Sequence, residues 1–383
     1  MMANRVLLVD DDADILAAIK RKFRKQFHID TALSGKEGLK LVAANGPYDV
    51  IVSDFQMPEM HGIEFFSRVK KIAPHTIRIM LTGHADLPAV IQAINDGNVF
   101  RFLLKPCPTN ALAEAITKGI EQYEEIVTHH NYINRTRTSL ALAREVQNDL
   151  MPRTAPLVKG FDIAMRSISC EETGGDYYDF LTGDETWQEK VAVVIGDVSG
   201  HGIASTILMA TARAFLRQRF ATGGTAEDIV SDVNRHLTLD VNDSGQFMTL
   251  FYLMLDRPNR TLHWVRAGHD PAILYDPEKA GFEELSGDGI ALGVDAQWQY
   301  KENTRSGLKE GQIIILGTDG IWEARDCKGR MFGKNSIYEI IGENTGAGAE
   351  EILEAIFEKL HRFRGGRPLE DDATLVIIKV TAS

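Results

Sequence analysis

Cysteine is scarce in this 383-residue chain: Cys107, Cys170 and Cys327 lie far apart and form no CxxC pair. That argues against a disulfide framework and against structural zinc. Long apolar runs are missing too; no stretch approaches the roughly 18 apolar residues of a membrane span. The opening MMANRVLLVDDD turns acidic where a secretory leader needs an apolar segment. Basic charge is in deficit, 42 Lys and Arg against 54 Asp and Glu for a formal net charge of -12, which disfavours nucleic acid as a partner. A cytoplasmic protein with neither a membrane nor a nucleic-acid partner is expected. Between residues 109 and 151 there is no proline, and Gly119 is the only glycine. The length itself fits two or three domains.

Acidic residues stand at the ends of apolar runs. Arg5 to Val9 runs into Asp10-Asp11-Asp12, and Val50 to Ser53 into Asp54. Ile77 to Leu81 ends in Thr82, and Val99 to Leu104 in Lys105. Helical segments lie between, with Ile15, Leu16, Ile19 and Phe23 on one face of the first. Such alternation predicts a doubly wound parallel sheet, whose ligands bind at the carboxyl ends of its strands. Asp10, Asp11 and Asp54 close together would repel one another unless a divalent cation such as Mg²⁺ joined them. A nearby lysine and hydroxyl, Lys105 and Thr82, suit a phosphoryl group.

The proline-free stretch predicts one long helix, capped by Thr109 or Asn110. Ile116, Ile120, Tyr123 and Val127 follow a coiled-coil spacing, which turns polar at His130, Asn134 and Arg137. A second apolar patch, Leu142, Val146 and Leu150, precedes Met151-Pro152. The expectation is a dimerising helix with a marginal middle, against the plainer reading of a last domain helix plus a solvated spacer.

The second half alternates short β-like runs and glycine turns with a few helices. Val191–Ile195, Phe247–Leu255, Thr261–Ala267, Ile273–Tyr275, Ile313–Leu316 and Thr374–Val380 read as strands; Ile203–Phe220, Ala226–Leu239 and Glu350–Phe363 read as helices. Together they predict an α+β sandwich of two sheets flanked by helices. Asp176 follows a Gly-Gly turn, Asp197 and Asp319 end apolar strands, and Asp371-Asp372 precede the last strand. Aspartates before glycines are often only turn formers, but carboxylates ending strongly apolar strands need charge partners. An all-carboxylate set favours Mg²⁺ or Mn²⁺ over zinc, and four can hold two ions about 3.5–4 Å apart.

LLVDDD, VIVSDFQMPEMHG, IMLTGHAD and FRFLLKPC resemble the motifs of response regulator receiver domains over residues 4 to 125. The resemblance implies a flavodoxin-like, five-stranded fold in which a histidine kinase phosphorylates Asp54. It further implies that Asp10, Asp11, Asp54 and the Gln56 carbonyl hold Mg²⁺, that Thr82 and Lys105 contact the phosphoryl group, and that Phe102 is a switch aromatic.

ETGGDYYDF, IGDVSGHGIAS, FMTLFYLMLD, AGHDPAIL, LGTDGIWEARD and DDATLVIIKV resemble the metal-dependent PPM protein phosphatases, in particular their bacterial partner-switching branch. That implies hydrolysis of phosphoserine or phosphothreonine on a protein, the substrate being an anti-sigma-factor antagonist. The implied metal ligands, for two Mn²⁺ or Mg²⁺, are Asp176, Asp197, the Val198 carbonyl, Asp319 and Asp371, with Asp197 bridging. Asp372 is the alternative to Asp371. His201 is a candidate general acid or else a packed helix-start residue. The expected organisation is a receiver at 1–125, a coiled-coil linker at 110–155 and a phosphatase at 156–383, acting as a homodimer under control of Asp54. The alternatives are a pseudophosphatase that gates a binding partner and, disfavoured by charge, a nucleic-acid-binding output.

Overall fold

The computed structural model describes residues 4–83, 99–183 and 190–382; part of the IMLTGHAD motif, residues 84–86, lies outside them. The chain divides into two compact units, Met1–Arg137 and Thr138–Ser383.

In the first unit β1 (Arg5–Val9), β2 (His28–Ala32), β3 (Val50–Asp54), β4 (Ile77–Thr82) and β5 (Arg101–Leu104) form one sheet in the order β2-β1-β3-β4-β5. Every pairing is parallel. The strands read as nearly continuous apolar runs because both faces are covered. Val6, Leu8, Val52 and Ile79 pack on one face, and Leu7, Val9, Ile51 and Met80 on the other. Helix α1 (Ala13–Phe23) covers the first face with Leu16 and Phe23; α2 (Gly35–Asn45) and α3 (Gly62–Ile72) cover the second with Val42, Phe65 and Val69. Asp12 caps α1, its side chain accepting from the Asp14 and Ile15 amides.

Helix α4 (Thr109–Leu150) is 42 residues long. Its first turns correct the expected coiled-coil seam. Ile116 and Ile120 are buried in the receiver's own core against α1 and the sheet, and so unavailable to a partner helix. Apolar spacing of three and four describes a helix packed on a sheet as well as one packed on a helix.

The second unit holds two five-stranded antiparallel sheets. One contains β7 (Tyr177–Thr182), β8 (Lys190–Val198), β9 (Met248–Asp256), β10 (Thr261–Ala267) and β13 (Asn303–Ser306), in the order β13-β10-β9-β8-β7. The other contains β6 (Phe161–Ile168), β11 (Ala272–Asp276), β12 (Gly281–Leu285), β14 (Ile313–Gly317) and β15 (Ala373–Val380), in the order β12-β11-β14-β15-β6. Val193, Ile195, Phe251 and Leu253 meet Ile314, Leu316, Val376 and Ile378 between the sheets. Outside the first sheet lie α5 (Ile203–Ala221) and α6 (Ala226–Val241), with Met209, Leu216 and Val230 in its core. After the short α7 (Asp319–Trp322), α8 (Gly333–Glu343) and α9 (Ala349–Arg364) cover the second with Ile337, Ile352 and Ile356. Each fully buried aliphatic side chain contributes about 1.5–3 kcal/mol, so this four-layer stack is a rigid frame for the loops at its strand ends.

Candidate functional site

Parallel strands bring the polar ends of the first sheet together. Asp10 and Asp54 are buried, Asp11 exposed. Lys105, just past β5, places Nζ 2.8 Å from both Asp10 Oδ2 and Asp54 Oδ1. Burial raises the Asp54 carboxyl above its ordinary range, against the opposing pull of Lys105. Burial likewise disfavours the Lys105 charge, but its bonds to Asp10 and Asp54 raise it overall. Ligand oxygens of Asp10, Asp11 and Asp54 lie within 4.8 Å of one another, three carboxylates against one ammonium, a donor set that fits a hard divalent cation. Thr82 is buried, its hydroxyl donating to the Gly83 carbonyl at 3.3 Å. Gln56 is exposed, and Phe102 is half-buried against the core.

In the second unit both sheets contribute. Asp176 immediately precedes β7, Asp197 is the penultimate residue of β8, Asp319 follows β14 and begins α7, and Asp371 precedes β15. Asp176 is buried, and its Oδ2 accepts from Thr318 Oγ1 at 2.8 Å and Thr374 Oγ1 at 2.6 Å. Burial, then the Asp197 charge, nevertheless push its carboxyl well above the ordinary range. Burial, with Asp319, Asp371 and Asp372 beside it, pushes Asp197 up to about 7. Asp319 is raised by burial first and by Asp371 next. Val198 is buried; its carbonyl sits 2.8 Å from where a Cβ on Gly175 would be, so only glycine lets the two loops approach this closely.

The two adjacent aspartates divide their tasks. The buried Asp372 accepts from the Gly175 amide at 2.7 Å and the Cys170 amide at 2.8 Å, which ties down the loop before Asp176. Asp371 is exposed, accepts from the Asp372 amide at 2.8 Å, and acts electrostatically on Asp197 and Asp319. His201 lies on a loop between two positive-φ glycines, 73% exposed, with Nδ1 3.1 Å from Glu171 Oε1.

Sequence reasoning passed over His269, which lies inside the quoted AGHDPAIL. It is buried between the sheets' ends, with Nδ1 2.8 Å from Thr249 Oγ1 and Nε2 3.2 Å from the Gly317 carbonyl. Since a carbonyl only accepts, Nε2 carries the hydrogen and Thr249 donates to Nδ1. Burial lowers this imidazole to about 4, so it stays neutral. Thr249 pairs with Asp197 in register, and Gly317 ends the strand before Asp319. His269 thereby braces two of the acidic loops. Thr318 was equally unremarked, and Thr374 served only to mark the start of the last strand, though each sits one to three residues from a predicted ligand.

Among the described residues, no Lys, Arg or His forms an ion pair with Asp176, Asp197, Asp319 or Asp371. These carboxylates are less tightly drawn together than the receiver's: Asp10, Asp11 and Asp54 are the only such group of three within 4.8 Å among the described residues. Oxygen donors that range from buried (Asp176) through half-buried (Asp197, Asp319) to exposed (Asp371), with no cation of the chain paired to them among the described residues, fit Mn²⁺ or Mg²⁺.

Residues 6–117 match the response regulator receiver domain, and residues 188–381, half of the chain, match stage II sporulation protein E (SpoIIE). The chain belongs to the SpoIIE family. It is 26% identical over 257 residues to the phosphoserine phosphatase RsbU of Bacillus subtilis (strain 168), across 67% of this chain and 74% of that protein. Over 118 residues it is 36% identical to the transcriptional regulatory protein GlrR of Escherichia coli (strain K12), across 30% of this chain but 26% of that regulator. The SiaA-PP2C domain of Pseudomonas aeruginosa shares the fold, with a TM-score of 0.56 and 20% identity, across 65% of this chain and 98% of that domain. The chain is thus a receiver domain joined to a metal-dependent protein serine/threonine phosphatase domain of the PPM type. No helix among the described residues is long and apolar enough to cross a membrane.

Proposed function

We propose that this protein hydrolyses phosphoserine or phosphothreonine on a small regulatory protein, an anti-sigma-factor antagonist, and that phosphorylation of Asp54 by a histidine kinase sets the rate. One observation carries the catalytic half: four carboxylates come from two sheets with no cation of the chain paired to them among the described residues, and burial, then the charges of Asp319, Asp371 and Asp372, raise Asp197 to about 7. Asp176, Asp197, the Val198 carbonyl, Asp319 and Asp371 hold two ions. Asp371 rather than Asp372 is proposed for that set, supported by the bonds of the Asp372 oxygens to the Gly175 and Cys170 amides. Bound there, Mn²⁺ or Mg²⁺ would supply a water of lowered pKa as nucleophile and neutralise charge on the phosphoryl oxygens. The chain's own part is placement. Thr318 and Thr374 hold one oxygen of Asp176, and His269 braces the backbone beside Asp197 and Asp319.

In the receiver, Asp10, Asp11, Asp54 and the Gln56 carbonyl hold Mg²⁺, and Asp54 takes the phosphoryl group. Lys105, already on Asp54, and Thr82 meet that group's oxygens. Phe102 repacks in response, and α4 carries the change to the phosphatase, with a homodimer as the switching unit. The experiment is hydrolysis of a generic phosphatase substrate by the full chain, with Mn²⁺ titrated, with and without beryllofluoride on Asp54. Mn²⁺-dependent turnover that changes with beryllofluoride is expected. No turnover at any Mn²⁺ level removes the catalytic half; equal turnover and equal oligomeric state in both arms remove the regulatory half.

A further inference from the structure

From Asn131 to Leu150, a single residue of α4 is buried, and it is an amide: Gln147. The residues around it are exposed, Val146 at 60%. A buried amide is unfavourable unless both of its functions are bonded, and here one residue bonds both. Gln147 Nε2 donates to the Gly174 carbonyl at 2.8 Å, and the Gly174 amide donates to Gln147 Oε1 at 3.2 Å. Gly174 stands two residues before Asp176.

Gly174 is a junction of three elements. From α5, whose turn begins just after Asp197, Thr206 Oγ1 also donates to its carbonyl at 3.0 Å. From the loop before β15, Asp372 presses so close that a Cβ on Gly174 would lie 2.2 Å from Asp372 Oδ2, so no side chain fits. Asp372 bonds the Gly175 amide, and Thr318 and Thr374 hold the Asp176 carboxylate. The loop is therefore gripped by Asp372 on either side of Gly174, and at Gly174 itself by α4 together with Thr206. A cleft of about 890 Å³ opens beside that grip, lined by Arg144, Gln147, Gly174 and Asp176. Asp197, Asp319 and Asp371 do not line it, whereas Asp176 and Asp372 do.

We propose that Gln147 is a positioning residue: through its paired bonds to Gly174, the end of α4 sets the Asp176 loop and with it the metal affinity of the phosphatase. This rests on the metal-dependent phosphatase reading and specifies where α4 acts on that site. A displacement of α4 that withdrew Gln147 would leave the Gly174 amide unbonded and its carbonyl held by Thr206 alone, two residues before Asp176.

The test uses the full chain and two readouts. Mn²⁺ affinity is measured directly by electron paramagnetic resonance of free Mn²⁺, and hydrogen exchange is followed at the amides of residues 174–176. Gln147→Leu keeps the bulk and removes both bonds. It is expected to weaken Mn²⁺ binding about tenfold to a hundredfold, the usual consequence of losing a group that orients a metal ligand, and to speed exchange at 174–176 while the amides of β8 and β9 stay protected. Gln147→Glu retains an acceptor for the Gly174 amide but sets a carboxylate against its carbonyl, and should fall to the same side. The exposed control Glu145→Gln should change neither readout. Unchanged exchange at 174–176 together with unchanged Mn²⁺ affinity in Gln147→Leu overturns the proposal; so does accelerated exchange spread evenly over β8 and β9, which marks a generally loosened domain. If the wild-type chain binds no Mn²⁺, the phosphatase reading fails, and the exchange arm still decides whether Gln147 holds the loop.

Discussion

The two acidic sites differ in one respect that governs the rest. The receiver builds its counter-charge into the chain: Lys105 sits 2.8 Å from both Asp10 and Asp54. Among the described residues the phosphatase site has no such cation, and burial, with Asp319, Asp371 and Asp372 beside it, raises Asp197 to about 7. A site that carries its own cation can stay formed while a ligand comes and goes. A site of unpaired carboxylates is complete only with metal, so small shifts of one ligand loop change whether it works. The second arrangement is the one that a control helix can exploit.

Removing the Asp197 carboxylate should have the largest effect. Asp197→Ala takes away the group on which the other charges converge, and Mn²⁺-dependent hydrolysis by the full chain should fall on the order of a thousandfold, as when a principal charge-stabilising group is lost. Steady-state turnover at saturating Mn²⁺ checks this, and a variant as fast as wild type removes Asp197 from the site.

The contrast sharpens when each site is given what the other has. Lys105→Met leaves Asp10 and Asp54 without their ammonium. Breaking a fully buried pair costs about 3–5 kcal/mol; Lys105 is partly exposed, and solvent screening reduces this to about 1–3 kcal/mol. Urea unfolding of the receiver transition in metal-free buffer should report that loss, and millimolar Mg²⁺ should restore most of it. A loss that Mg²⁺ leaves untouched would mean that Lys105 does not stand in for a cation.

The opposite result is expected at the phosphatase site. The Asp197 carboxyl titrates near 7 in the folded, metal-free protein and about 3.9 in an unfolded chain. Between those values the unfolded chain has released a proton that the native state keeps, so native stability falls as pH rises and levels off above about 7. Asp197→Asn removes that penalty. In EDTA at pH 8 the variant should be more stable than wild type by about 1–3 kcal/mol, with the gap closing toward pH 4. Chemical denaturation across that range checks the sign; a destabilised variant at pH 8 would show that the carboxylate has a partner in the fold.

Much of this was legible in the sequence because the carboxylates end strongly apolar strands. Asp54 and Asp197 announce themselves by what precedes them. Asp371 and Asp372 could not be separated that way, since both precede the same strand; the amides of Gly175 and Cys170, about 200 residues away in the chain, divide them. Gln147 and His269 were silent for a similar reason: an amide in a polar helix and a histidine in a turn gain meaning only from the backbone groups they reach. Strands β6 and β7 were missed because Arg166 and Ser167 in MRSI and the buried Asp179 in YYDF interrupt their apolar runs. Ile116 and Ile120 were misread because helical spacing names a buried face without naming what buries it.

His201 gives the smallest expected effect and the finest test of the contrast between the sites. A general acid contributes roughly 10²–10⁴-fold and must reach the leaving group. The His201 ring is 73% exposed and turned to Glu171, whereas the imidazole that stays buried beside the carboxylates, His269, is held neutral near 4 by burial. Neither is arranged to deliver a proton near neutral pH from within the site. His201→Gln should therefore lower turnover about threefold or less and leave the alkaline limb of the pH–rate profile unchanged. A hundredfold loss together with a vanished alkaline limb would instead make His201 the proton donor, and would mean that its loop closes over the carboxylates when substrate is bound.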